Sequence, residues 1–220
     1  TQNTRSRFIF SRHCLFGAGC VLAVSRPLLI VVSGPAGSGK TTLCASLMQA
    51  YPKVIRRVIT CTTRSPRVGE GDGVDYHFLT KEDFLKQVEQ GCFLENATVH
   101  GNFYGSRVAD VAKHLNAGYD ALLNVDVQGA ATMREKAKQD ARLAASLVTV
   151  FVRVSDHAEL RRRLTGRGTD PSEEIERRVA AAEWEQQHAG HYQHVIESGT
   201  KEADFAALQE IYRSEKQKHA

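Results

Sequence analysis

Residues 34–41, GPAGSGKT, form a glycine-rich segment whose residue types and spacing suit the binding of phosphate groups. The segment matches the pattern G-x-x-x-x-G-K-S/T at every fixed position. An apolar run typical of a buried strand, PLLIVVSG, leads into it, and a helix is expected to follow from Thr41 to about Tyr51. Glycines let backbone N–H groups converge on phosphate oxygens, and the helix start adds the positive end of its dipole. Pattern and context together predict a nucleoside triphosphate site rather than a chance glycine-rich turn.

Two side chains of this loop have specific predicted roles. Lys40 can reach the β- and γ-phosphates, and the Thr41 hydroxyl can bind Mg²⁺. The full set of predicted contacts to the triphosphate is Gly34, Pro35, Ala36, Gly37, Ser38, Gly39, Lys40, Thr41 and Thr42. The loop does not indicate what receives the phosphoryl group, so the acceptor has to be inferred from other segments.

A second candidate segment, TTRSPRVGEGDGVDYHF at 62–78, combines two arginines and a tyrosine in a stretch rich in Gly, Pro, Asp and Glu. The guanidinium groups of Arg64 and Arg67 match phosphate oxygens bidentately, and the Tyr76 phenol adds a neutral donor. A loop also suits a site that closes over its substrate. The segment therefore favours a clamp for the phosphate of a nucleoside monophosphate, with solvent-exposed arginines as the alternative.

Carboxylates and hydroxyls further along the chain suggest how a base is recognised. Glu95 lies in the apolar strand CFLENATV, where a carboxylate is costly unless it is paired. It can accept the two parallel N–H groups that guanine offers at N1 and its exocyclic amine, or it can lie on the solvent face of a hairpin. Asp126 follows the strand-like LLNV, at the end of a strand where ligands bind in open α/β sheets. Its alternatives are a carboxylate beside Mg²⁺ and a helix N-cap. Tyr104 and Ser106 are expected to face the same cleft.

The basic segment LRRRLTGRGTDPSEEIERR at 160–178 suits a mobile arm that delivers positive charge to phosphates. Arg163 and Arg167 run from a helix end into a Gly-flanked loop, and Arg178 lies one helix further along. Phosphoryl transfer asks the protein mainly for positioning and charge neutralisation, which these side chains can supply. We read Arg161, Arg162 and Arg177 as solvated helix faces.

The order of elements predicts the fold class. Apolar strand-like runs alternate with helical segments that end in Gly, which indicates a three-layer α/β fold with a parallel central sheet. A hairpin-rich insertion at about 60–115, with a turn at Gly101–Asn102, interrupts the alternation. The expected organisation is an N-terminal extension at 1–26 and one domain at 27–220, with its core at 27–59 and 116–220 and a lid at about 160–178.

Composition excludes several classes of function. The 220 residues hold 29 Lys and Arg against 25 Asp and Glu, and residues 1–26 contain four of the arginines and no acidic residue. The rest is neutral and lacks the basic surplus of a general nucleic-acid binder. No run is apolar over the length of a membrane-spanning helix. The scattered cysteines predict neither a metal site nor a disulfide framework.

The N-terminal tail has three interpretations. Its arginines and the apolar stretch Cys14–Val24 resemble a signal peptide, its acid-poor composition resembles an organelle transit peptide, and a chain that begins with Thr fits a translated upstream extension. The last is preferred. Export is least expected because the remaining motifs consume an intracellular nucleotide.

Taken in order, these motifs resemble guanylate kinases from about Leu28 to the C-terminal helix. The phosphate loop is shared by a very large superfamily, but the segments TTRSPRVGEGDGVDYHF, FLENATVHGNFYGS, NVDVQGA and RRRLTGRGT are specific to this family. The resemblance implies a P-loop NTPase fold, Mg²⁺ as cofactor, a cytoplasmic monomer or homodimer, and transfer of the γ-phosphoryl group of ATP to GMP or dGMP. It assigns Arg64, Arg67, Tyr76 and Tyr104 to the GMP phosphate, and Thr60, Glu95, Ser106 and Asp126 to guanine. It also assigns Lys40, Arg163, Arg167 and Arg178 to catalysis.

Two positions depart from the family pattern. Asn124 stands where Asp is usual, so Mg²⁺ or water near the phosphates is expected to be less firmly organised. Ser198 stands where an Asn that contacts adenine is usual, which predicts looser adenine selectivity.

Two rival functions remain at this point. A related kinase for another acceptor is opposed by the guanine-directed pair Glu95 and Ser106. A non-catalytic, guanylate-kinase-like module that holds a phosphopeptide is opposed by the intact Lys40, Thr41, Arg163 and Arg167.

Overall fold

A computed structural model describes residues 26–99, 101–166 and 171–218. Its strands are β1 Leu29–Ser33, β2 Ile55–Arg57, β3 Cys61–Thr62, β4 His77–Phe78, β5 Phe93–Val99, β6 Asn102–Arg107, β7 Asp120–Asn124, β8 Leu147–Arg153 and β9 His194–Glu197. Its helices are α1 Lys40–Ala50, α2 Lys81–Glu89, α3 Val108–Asn116, α4 Val127–Gln139, α5 Ala141–Ser146, α6 His157–Thr165, α7 Ser172–Gln186 and α8 Lys201–Lys218. A short 3₁₀ turn precedes β9.

The central sheet is parallel and has five strands in the order β2-β7-β1-β8-β9. The expected α/β fold with a parallel central sheet is therefore confirmed. Strand β1 lies in the middle, and its five residues are all buried, as expected for a strand covered on both faces. Because all five strands run the same way, their carboxyl ends share one edge, where the phosphate loop follows β1 and Asp126 follows β7.

Helices cover both faces of this sheet. Leu29 and Val31 of β1 pack with residues of α3 and α4 on one face, whereas Ile30 and Val32 pack with residues of α1 and α8 on the other. This alternation is the period of two expected of a strand. A separate apolar cluster joins α6 to α7 and reaches Ala36 in the phosphate loop. The α6–α7 pair is thereby packed against the loop that is predicted to hold phosphate.

A second sheet of four strands, in the order β4-β3-β6-β5, lies between β2 and α3 in the chain. The β5–β6 hairpin is antiparallel, with Val99 opposite Asn102, so the turn lies one residue earlier than the predicted Gly101–Asn102. The pairing is irregular between Phe93 and Glu95, which is the mark of a bulge. Bulges re-aim side chains and are frequent beside active sites. Three consecutive residues, Phe93 to Glu95, are buried here, in place of the alternation that a regular strand would give.

Several element boundaries differ from the sequence prediction. Helix α1 begins at Lys40 and ends at Ala50, one residue earlier at each end than expected. The run RRVIT predicts a strand at 56–60, but strand β2 covers Ile55–Arg57. The two-residue strands β3 and β4 and the short helix α5 were missed, because elements of two to six residues show too little periodicity to detect.

Some predictions fall outside the described residues. The N-terminal extension lies almost wholly there, and so does Arg167 in the predicted lid. Among the helices that are described, none combines the length and the apolar character needed to cross a membrane.

Candidate functional site

The phosphate loop depends on a glycine at its first position. Gly34 has φ of 137°, and a Cβ there would lie 2.3 Å from the carbonyl oxygen of Val152 on β8. Both the conformation and the space therefore require glycine. Helix α1 then begins at Lys40, and no described side chain caps it. The start of a helix is a place where anions bind, because its first N–H groups point along the axis and carry the positive end of the dipole.

Lys40 lies over this loop. Its Nζ donates hydrogen bonds to the carbonyl oxygens of Gly34 at 2.6 Å and Pro35 at 2.8 Å. The ammonium group is thereby held at the mouth of the loop, where the phosphates of a triphosphate would lie. The arrangement supplies a fixed positive charge beside the helix start.

Thr41 and Asn124 meet at the carboxyl edge of the sheet. The Asn124 Nδ2 donates to the Thr41 Oγ1 at 3.2 Å. The register of β1 against β7 places Asn124 beside Val32, just before the phosphate loop. The Thr41 hydroxyl is a hard oxygen donor of the kind that Mg²⁺ prefers, so Thr41 fits this ion, whereas Asn124 directs its amide nitrogen toward Thr41.

A cavity of about 640 Å³ lies beside the phosphate loop, a size typical of small-molecule sites. Its walls include Gly39 and Thr42 of the loop region, Arg163 of α6, and Gly199 and Thr200 before α8. The Arg163 guanidinium donates to Glu159 Oε1 at 2.7 Å, to Ser198 Oγ at 2.8 Å and to the Gly199 carbonyl oxygen at 3.0 Å. Arg163 therefore ties α6 to the segment before α8 across this cavity.

The segment at 62–78 brings three of the predicted phosphate-binding side chains together. The Arg64 guanidinium lies 5.2 Å from the centre of the Tyr76 ring, and the Tyr76 and Tyr104 rings are 6.2 Å apart. The Arg64 side chain is only 16% exposed, which rules out a freely solvated arginine. The fourth, Arg67, is exposed on the same loop.

Glu70 is a partner of this cluster that the sequence did not reveal. Its two carboxylate oxygens accept a bidentate pair of hydrogen bonds from Arg64, each 2.9 Å long, and Oε2 also accepts the backbone N–H of Arg67 at 2.7 Å. The bonds from Arg64, and then the one from Arg67, lower the pKa of Glu70 to about 2. Glu70 therefore stays ionised and fixes the Arg64 fork in the loop. In the sequence, Glu70 is only an acidic residue near two arginines, a pattern too common to predict an ion pair.

Glu95 is buried, with 3% of its surface exposed, so its predicted alternative on the solvent face of the hairpin is wrong. Its Oε1 accepts a 2.7 Å hydrogen bond from the Ser106 hydroxyl on the neighbouring strand β6. Burial raises the pKa of Glu95 to about 7, and the Ser106 bond opposes this rise. A buried carboxylate with one hydroxyl partner retains acceptor capacity for N–H donors.

Asp126 lies at the carboxyl end of β7 and caps α4. Its Oδ1 accepts the backbone N–H of Gly129 at 2.7 Å, so the N-cap alternative is the arrangement found. Burial raises its pKa, against the effects of the Gly129 bond and of the Lys40 charge. Asp126 and Glu95 both lie against Gly129, and the negative charge of Asp126 raises the pKa of Glu95.

The remaining predicted residues are more dispersed. Thr60 lines a smaller cavity of about 140 Å³ together with Thr41, Tyr76 and Asn124. Arg178 lies on α7 and donates to Glu174 at 3.0 Å. Arg167 lies outside the described residues.

Glu185, on α7, is a second residue that the sequence did not single out. Burial raises its pKa to about 7, and the neighbouring charges of Lys40 and Asp126 lower and raise it respectively. Glu185 is therefore near enough to Lys40 and Asp126 for their charges to act on it. A glutamate in a charged helix carries no sequence signal for such a position.

Comparison with known proteins supports the resemblance seen in the sequence. The family model for guanylate kinase matches residues 26–215. The guanylate kinase of Anaeromyxobacter dehalogenans is 45% identical over 194 residues, covering 88% of this chain and 83% of that protein. The guanylate kinase of Thiobacillus denitrificans is 42% identical over 169 residues, covering 77% of each.

A solved structure agrees with these sequences. The crystal structure of guanylate kinase from Anaplasma phagocytophilum superposes with a TM-score of 0.68 at 30% identity, covering 87% of each chain. The non-catalytic binding module is therefore not favoured. Because the match runs through both sheets and through every segment that contributes to the cleft, this chain belongs to the guanylate kinase family of nucleotide-binding phosphotransferases.

Proposed function

We propose that the chain transfers the γ-phosphoryl group of ATP to GMP and dGMP, giving ADP with GDP or dGDP. The observation that carries this proposal is the buried pair of Glu95 and Ser106 in a cleft that also contains the phosphate loop. A carboxylate costs free energy to bury unless donors satisfy it, and guanine supplies two adjacent N–H donors. A cytoplasmic location belongs to the same proposal, because both substrates are intracellular nucleotides.

On the acceptor side, the chain binds GMP at both ends. Arg64, Arg67, Tyr76 and Tyr104 hold its phosphate, and Glu70 keeps the Arg64 fork in place. Thr60, Glu95, Ser106 and Asp126 surround its base. Holding both ends fixes the phosphate oxygen that attacks the γ-phosphorus of ATP.

On the donor side, the phosphate loop holds the triphosphate while positive side chains neutralise the charge that develops during transfer. The bond from the γ-phosphorus to the β–γ bridging oxygen breaks as the GMP oxygen attaches, and ADP leaves. Lys40 and the arginines at 163, 167 and 178 stabilise the transferring group. Thr41 would hold Mg²⁺ through its hydroxyl, and the ion would supply further charge neutralisation.

The proposal is tested by measuring ADP formation from MgATP with GMP, dGMP, AMP, UMP or CMP as the acceptor. We expect turnover with GMP and dGMP only. Glu95→Gln should reduce kcat/KM for GMP by at least about a hundredfold, because an amide cannot accept both N–H donors.

The matched control is Glu135→Gln, on the exposed face of α4, which should leave kcat/KM unchanged. Equal turnover of AMP and GMP would contradict the proposed acceptor. ATP binding without turnover of any acceptor would restore the binding module as the better account.

A further inference from the structure

Gly129, in the first turn of α4, lies against both acidic side chains of the guanine pocket. A Cβ at this position would be 2.4 Å from Glu95 Oε2, 3.0 Å from Glu95 Cδ and 3.2 Å from Asp126 Oδ1. The first of these distances is far inside van der Waals contact. The Glu95 carboxylate thus occupies the space that any other residue at 129 would fill.

The backbone does not explain the choice of glycine. Gly129 is helical and is not among the residues with positive φ, so alanine would adopt the same conformation without strain. Glycine inside a helix is unfavourable relative to alanine because it loses more backbone freedom on folding. The helix therefore carries a residue that weakens it, and the compensating feature is the close approach of Glu95.

We propose that Gly129 determines specificity for guanine, an inference that rests on the proposed function. Glycine at this position lets α4 contact one oxygen of the Glu95 carboxylate while Ser106 binds the other oxygen. The Ser106 hydroxyl fixes Oε1 at 2.7 Å, and the α4 backbone limits where Oε2 can lie. The Gly129 N–H also holds Asp126 Oδ1 at 2.7 Å, so one residue positions both carboxylates.

The consequence of adding a methyl group follows from the distances. Restoring ordinary contact, which begins at 3.4 Å, requires the Glu95 oxygen to move by about 1 Å. A displacement of that size in a positioning residue can cost about a hundredfold in activity. Gly129 touches no substrate atom in this account and acts only through Glu95 and Asp126.

The first test compares wild-type protein with Gly129→Ala in steady-state kinetics. We expect KM for GMP to rise by about tenfold or more, with KM for ATP changed less than about twofold. The matched control is Gly190→Ala, where an added Cβ meets nothing within 4 Å and φ is not positive. An unchanged KM for GMP in Gly129→Ala would overturn the inference, whereas a wild-type chain that does not phosphorylate GMP would instead contradict the proposed function.

The second test needs no activity and remains available if Gly129→Ala folds poorly. In wild-type protein we expect Gly129→Ala to lower Tm because of the clash with Glu95. In a Glu95→Ala background the same change should lower Tm far less or raise it, because the clash with Glu95 is gone, only the 3.2 Å approach to Asp126 Oδ1 remains, and alanine favours the helix. The same shift in both backgrounds would show that no contact exists between Gly129 and Glu95, and would overturn the inference.

Discussion

Glu95 illustrates how a residue that destabilises the fold serves the site. Its carboxyl group is almost fully enclosed, has one hydroxyl donor, and lies near the negative charge of Asp126. Burial raises the pKa to about 7 from an ordinary 4.5, which means that the folded state resists ionising this group. Two N–H donors from a ligand would relieve that cost, because they bond to the ionised form.

This environment predicts a pH-dependent stability. The folded state binds the Glu95 proton more tightly than the unfolded state does. The unfolding free energy of wild-type protein relative to Glu95→Gln therefore falls as pH rises from about 4.5 to 7, and it no longer changes above pH 7. Between pH 5 and pH 8, the difference in unfolding free energy between wild-type protein and Glu95→Gln should change by roughly 2–3 kcal/mol.

Urea denaturation of both proteins at several pH values measures this difference. Glu185 titrates in the same range but is present in both proteins, so its contribution cancels. A difference that stays constant from pH 5 to pH 8 would mean that Glu95 is not held in a desolvated pocket.

Sequence reasoning found Glu95 because a carboxylate in an apolar strand is an anomaly that demands a partner. It missed Glu70 and Glu185 because acidic residues in a charged loop and a charged helix are ordinary. The sequence does not indicate the role of Gly129. Glycine is needed there because α4 contacts Glu95 on β5, and these two elements are far apart in the chain. A residue type that is unusual for its segment can be seen in a sequence, whereas an unusually close contact between distant segments cannot.

At the scale of elements, one buried carboxylate fastens helix α8 to the central sheet. Asp120, at the start of β7, is 1% exposed and accepts three hydrogen bonds. They come from the Leu28 N–H at 2.8 Å, the Tyr212 hydroxyl at 2.7 Å and the Lys216 ammonium at 3.0 Å. The residue thereby joins β7, the segment before β1 and two turns of α8.

Replacing the Asp120 carboxylate should destabilise the folded protein. We expect Asp120→Ala to lower the unfolding free energy by about 3 kcal/mol, because it leaves a phenol and an ammonium group without their buried acceptor. The control is Glu135→Ala, which breaks an exposed pair with Lys138 and should cost less than about 1 kcal/mol. Equal losses in urea denaturation would show that Asp120 does not anchor α8.

Elements were predictable where local signals agree. The run TKED predicts a Thr cap, and the Thr80 side chain caps α2 by accepting the Asp83 N–H. The run DHAEL predicts a helix that begins at Asp156, and the Asp156 side chain caps α6 by accepting the Ala158 N–H. The second sheet was only partly predictable, since β3 and β4 consist of two residues each and depend on pairing with distant strands. Long-range pairing of that kind leaves no periodic pattern in the chain.

At the scale of the whole molecule, the parallel sheet explains why residues far apart in sequence share one cleft. The phosphate loop after β1 and Asp126 after β7 meet because these strands are neighbours with their ends aligned. The second sheet adds Glu95 and Ser106 on the paired strands β5 and β6, and β5 packs against α4. Sequence motifs predicted which segments take part, but the distances between them are set by helix packing on the sheet.

Recognition of guanine by Glu95 is tested most sharply by comparing GMP with IMP as acceptors in wild-type protein and in Glu95→Gln. Hypoxanthine keeps the N1–H donor of guanine and lacks the exocyclic amine, so IMP offers the carboxylate one N–H instead of two. We predict that wild-type protein prefers GMP by roughly tenfold to a hundredfold in kcat/KM, and that this preference disappears in Glu95→Gln. A preference of equal size in both proteins would contradict the claim that Glu95 recognises guanine.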